Sequence, residues 1–145
     1  MVEGLRKPTQ PRPADNRAVR LLPHVLEATA YAQLLGAVPD RVVRLLTTVG
    51  SNLRGVGQLD TSRSVLDRAL EIAQAQLGSD HPETLATRAN LARWLGAAGQ
   101  PARGAAQLRD LLDDVLRVLG PDHPDTLTTR HNLAYWQDRQ KADSG

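Results

Sequence analysis

At 145 residues the chain is about one domain long. It is 41% hydrophobic with 3% aromatics and no Phe, so Leu, Ala and Val must build its core, which suits packed helices better than a β-sandwich. The absence of Cys excludes disulfides, thiolate nucleophiles and Cys-ligated metal centres.

The formal charge of +2 belongs to the first 17 residues, where Arg6, Lys7, Arg12 and Arg17 outnumber Glu3 and Asp15. The remainder is balanced, which argues against a broad phosphate-binding face. No apolar run approaches the ~18 residues that span a bilayer, and the N-terminus lacks the apolar stretch of a signal peptide. A cytoplasmic protein with no membrane partner is the expectation.

Taken in chain order, residues 1–19 carry Pro8, Pro11 and Pro13 without apolar periodicity and read as a flexible basic leader. Residues 20–38 contain "RLLPHVLEATAYAQLLG", with Leu22, Val25, Leu26 and Ala30 at helical spacing. A helix is predicted there, with Pro23 in its first turn and Gly36 at its end.

A period of forty-two residues then takes over. "LGSDHPETLATRANLARW" from Leu77 to Trp94 returns as "LGPDHPDTLTTRHNLAYW" from Leu119 to Trp136, identical at 13 of 18 positions. Gly57-Gln58 and Gly99-Gln100 keep the same spacing. Residues 39–80 form a first repeat of two predicted helices, with Val42, Val43, Leu46, Val49, Gly50 and Leu53 on the inner stripe of one. Val65, Leu66, Ala69, Leu70, Ala73 and Leu77 line the other. Residues 81–119 form a second repeat on the same plan. A capping helix is predicted over 120–140, polar after Trp136, and a disordered tail over 141–145.

The repeated phrase joins a helix stop to a helix start. Gly78 and Gly120 end one helix, while Asp80 and Asp122 are placed to cap the next, with Glu83 and Asp125 near its positive end. Pro82 and Pro124 sit where a missing N–H costs little. His81 and His123 each lack a second ligand at i+4, so no metal site is expected.

A forty-two-residue helix pair with "NLA" in its first helix, Gly at its inner turn and "LGxDHP" between pairs resembles a tetratricopeptide repeat. It is specifically similar to the longer kinesin-light-chain type. The phrases "HPDTLTTRHNLA" and "LLPHVL" also resemble repeat arrays that follow NTPase domains in actinobacterial signalling proteins of the STAND (NB-ARC-like) class. No G-x-x-x-x-G-K-[ST] loop is present, so NTPase activity does not carry over. The resemblance implies an all-α fold: a right-handed α-solenoid of antiparallel helix pairs, with about six helices in this chain. It also implies a concave groove that binds an extended peptide or partner protein, with the "NLA" Asn holding the peptide backbone. On that basis Asn90 and Asn132 take the role, Thr48 stands at the equivalent place, and Arg93 and Tyr135 lie one turn on.

Other candidates reduce to structure. Asp110, Asp113 and Asp114 lie among Arg109 and Arg117 as a solvated stripe. Trp94 and Trp136 sit beside the apolar stripe and are expected to pack between repeats, and Arg88 and Arg130 to pair with acids. No convergent reactive set stands out, so neither catalysis nor a cofactor is expected. Two alternatives to the groove remain: a self-associating homo-oligomer split from a larger STAND-type protein, and a nucleic-acid binder using the 16 Arg. The latter is disfavoured by the neutral body and the shortage of stacking aromatics.

Overall fold

The computed structural model describes residues 38–145, together with Glu27 and Ala30, which are helical and exposed. The expected leader, 1–19, and most of the expected helix over 20–38 lie outside the described residues. Within them the chain forms five helices and no strand: α1 Pro39–Gly55, α2 Leu59–Gln76, α3 Pro82–Ala97, α4 Pro101–Leu119 and α5 Pro124–Asp143. Four of the five open on proline, whose fixed φ is already helical and whose missing N–H had no partner to lose. Among the described residues no helix is long and apolar enough to cross a membrane.

Each helix packs on its neighbours in sequence. In addition α1 touches α3 and α3 touches α5, whereas α2 and α4 do not meet. Helices α1, α3 and α5 therefore form one layer, and α2 and α4 the other. The apolar residues divide accordingly into two cores. Val43, Leu46, Leu53, Val65, Ala69 and Ala73 fill the first repeat, and Leu85, Ala92, Leu108, Leu111 and Val115 fill the second. A solenoid is stabilised in this quasi-one-dimensional way, repeat by repeat, with interfaces between.

Between the cores lies a buried polar contact that the apolar pattern did not indicate. Thr87 donates its hydroxyl to the Glu83 carbonyl at 2.8 Å, so the 2.8 Å bond between Thr47 and Thr87 has Thr47 as its donor. Both Trp side chains sit between repeats. Trp94 Nε1 donates to the Leu59 carbonyl at 2.7 Å, and the Trp136 ring lies against Gly96.

The turns follow from glycine chemistry. Gly99 adopts φ 82°, which lets the Gln100 N–H reach back to the Leu95 carbonyl at 2.9 Å and close the end of α3. Gly57 and Gln58 do the same for α1, one period earlier.

The helix starts require a correction. Asp80 and Asp122 do not cap. The caps are His81 and His123, whose Nδ1 atoms accept from the backbone N–H of Glu83 and Asp125 at 3.1 Å. The reason is register. With Pro at the first helical position, the capping residue is the one directly before it, and the Asp stands one place too early. Asp80 instead receives two bonds from Arg117, at 2.8 and 3.0 Å. The repeated Thr completes the turn, since Thr84 and Thr126 donate to the Gly78 and Gly120 carbonyls at 2.7 Å. Replacing His81 by Ala should therefore cost ~0.5–2 kcal/mol in urea denaturation, with His81→Asn recovering most of it. An unchanged midpoint in the Ala variant would show the cap to be idle.

A second difference lies at the other end. Helix α5 continues through Lys141, Ala142 and Asp143, which were expected in a disordered tail. Nothing in "QDRQKAD" breaks a helix, and Ser144 closes it by bonding the Gln140 carbonyl at 2.9 Å.

Candidate functional site

The forty-two-residue period places Thr48, Asn90 and Asn132 at equivalent positions on α1, α3 and α5, the three helices of one layer. Two clefts open along that layer. The first, about 270 Å³, lies between α1 and α3 and is lined by Thr47, Thr48, Ser51, Asn52, Asn90 and Arg93. The second, about 90 Å³, lies between α3 and α5. Its polar lining includes Asn90, Arg93, Asp125, Thr128, Thr129 and Asn132. Asn90 and Arg93 line both, so the two clefts form one groove across three helices.

The polar groups here are unevenly satisfied. Thr48 donates to the Arg44 carbonyl at 2.9 Å, and Asn90 Nδ2 donates to the Ala86 carbonyl at 3.0 Å. Both bonds run one turn back along the helix and leave the oxygens of Thr48 and Asn90 available as acceptors. Asn132 Nδ2 and Arg93 Nε are different, for each is buried and has no hydrogen-bond partner. Unpaired buried donors are uncommon in folded proteins and ask for a reason.

Arg93 is half-buried, and burial holds its guanidinium below the ordinary arginine range. Arg54, near the end of α1, is lowered too, first by burial and then by the positive charge of Arg93. Among the described residues no carboxylate offsets either charge. Arg54 escaped the sequence reading because a basic residue in a last helical turn ordinarily just complements the helix dipole. Ser51, at the repeat position of Arg93, could have been found from the period alone.

Tyr135, one period on from Arg93, lines neither of these two clefts. Its hydroxyl accepts from Arg139 at 2.8 Å, and its ring meets Trp136 edge-on at 4.8 Å, so it is engaged on its own helix. Several other charged residues are paired within the scaffold. Arg88 donates to Asp114 at 2.7 Å, which holds that carboxyl below the usual range, and Arg44 reaches Glu83 at 2.7 Å between repeats. Among the described residues no three His, Asp or Glu side chains are grouped to hold a metal.

The tetratricopeptide repeat profile matches residues 41–113. The chain belongs to the tetratricopeptide repeat family. Its fold is similar to a crystal structure of nearly identical TPR-like repeats from Podosopora anserina, assigned as a kinesin light chain, with a TM-score of 0.65 and 26% identity. That similarity covers 72% of this chain and 49% of the other, so the chain spans about half the length of the structure it matches. No curated protein sequence matches it. The described helices thus form a tetratricopeptide α-solenoid, a fold that typically serves as a non-enzymatic scaffold and generally mediates protein–protein interaction.

Proposed function

We propose that the layer formed by α1, α3 and α5 is a groove for an extended segment of a partner protein, and that the chain acts by binding rather than catalysis. The observation that carries this reading is the row Thr48, Asn90 and Asn132. It is repeated at one position per helix, opens on continuous clefts, and ends in an Asn132 amide that is buried without a partner. A peptide backbone offers a carbonyl and an N–H at regular spacing, and Asn can answer either with one side chain. The cleft shared by Asn90 and Asn132 is lined by one cation, Arg93, and one acid, Asp125, so its charges balance, which suits backbone recognition across many sequences.

The Asn90→Ala/Asn132→Ala double variant should weaken partner binding by ~1–3 kcal/mol, the scale of one or two buried hydrogen bonds left unmade. Stability should change little, because neither side chain belongs to the apolar cores. The measurement is capture of partners from the native host by wild type and variant, after circular dichroism shows both equally folded. Identical capture by both proteins would remove the groove from consideration.

A further inference from the structure

Helix α5 repeats α3 in sequence, yet the face by which α3 carries α4 is bare on α5. Leu85 and Ala92 are buried beneath α4, whereas Leu127 and Ala134, one period on, are exposed. Arg88 meets Asp114 of α4 at 2.7 Å, whereas its counterpart Arg130 is exposed and has no acidic partner among the described residues. The cleft of about 280 Å³ over α3 has Asp67 of α2 on one wall and Gln107 and Asp110 of α4 on the other. One period on, Arg109 of α4 and Gln137 of α5 line an open hollow in which, among the described residues, that second wall is missing.

A face of this kind accepts the second helix of a repeat, and the chain carries one more of these. Leu35-Gly36 stands one period before Leu77-Gly78 and two before Leu119-Gly120, so residues 20–36 read as the second helix of a repeat. The leader before them has no apolar periodicity for a first helix. Glu27 and Ala30, the described residues of that segment, are both exposed, although they stand at the positions of Ala69 and Ile72, which are buried in α2.

The charges on these two surfaces are complementary. Glu27 holds the position of Leu111, one turn before the Asp114 that Arg88 grips, so it is an acid placed close to where Arg130 would reach. Farther along the same joint Gly104 packs against Gly96, and the corresponding residues are Arg20 and Asp138, again opposite in sign. They are larger than two glycines, so the joint they form is wider than that of α3 with α4 and is held more by charge than by close approach.

We propose that the chain associates head to tail with copies of itself. Residues 20–36 of one copy lie on α5 of the next as α4 lies on α3, with Glu27 toward Arg130 and Arg20 toward Asp138, and complete a repeat between two molecules. The two surfaces differ, so the contact is heterologous, and a pair of copies keeps one free half at each end for further copies. Because α5 belongs to the groove layer, each joint would extend that layer from one molecule into the next.

Sedimentation of the full chain gives the test. At low salt the weight-average mass should rise with concentration past twice the 15.8 kDa of one chain, and at ~1 M salt it should fall back toward it. Ala134→Arg blocks one half of the joint and Ala30→Arg the other. Both positions are exposed, so circular dichroism and melting should match wild type. Each variant alone should stay monomeric, and an equimolar mixture should give a complex of one copy of each and nothing larger. Arg130→Glu should weaken association at least ~5-fold, and Arg130→Glu/Glu27→Arg should recover it, a readout that touches neither alanine.

Wild type that stays monomeric at every concentration would overturn the proposal and leave the α5 face to a different partner. Association that survives in Ala30→Arg would overturn it too, since α5 faces would then be pairing with each other. So would two blocked variants that fail to complement, or a charge reversal that fails to restore association.

Discussion

Leu108→Ala should lower stability by ~2–5 kcal/mol, among the largest losses available to a single substitution in this chain. Leu108 is 0% exposed and shares the second core with Leu85, Ala92, Leu111 and Val115. Its neighbour Ala92 is too short to fill the space, so much of the cavity should remain open. Leu127→Ala offers the control. Leu127 stands on α5 where Leu85 stands on α3, in the same repeated phrase, yet it is 53% exposed while Leu85 is 3% exposed. Its replacement should change stability by no more than ~0.5 kcal/mol. Urea denaturation of both variants decides the matter: equal losses would mean that burial in the repeat core is not what stabilises the stack.

Gly104→Ala should destabilise by ~1–3 kcal/mol, although Ala is ordinarily the better helix former by about 1 kcal/mol. A Cβ at Gly104 would stand 2.8 Å from the Ala92 carbonyl oxygen, and that obstacle is backbone. It cannot rotate away, so α4 would have to move off α3 and loosen the second core. Gly55→Ala, at the end of α1, meets nothing within reach and should be neutral or stabilising by up to about 1 kcal/mol. The opposite signs of the two changes are the point of the measurement. A Gly104→Ala variant as stable as Gly55→Ala would show that close approach of α3 and α4 is not required.

Much of this protein was readable before folding. The forty-two-residue period, the prolines that open helices and the glycines that end them are local features, and each states its geometry in one or two residues. They were sufficient for a stack of antiparallel helix pairs, and the same period placed Thr48, Asn90 and Asn132 in register on one layer. The period also aligned Arg93 with Tyr135, whose surroundings differ. Arg93 turns into the groove unpaired, while Tyr135 is held by Arg139 and Trp136 on its own helix.

The tertiary structure decided what depends on neighbours distant in sequence. Asp80, one place before the capping His81, receives Arg117 from 37 residues away. The Thr47–Thr87 bond and the seat of Trp94 at the Leu59 carbonyl both join one repeat to the next. Periodicity describes what each repeat shares with its neighbour. Part of each interface is made by positions where the repeats differ, such as Thr47 in α1 and Ala89 at the same place in α3, and only packing brings those differences together.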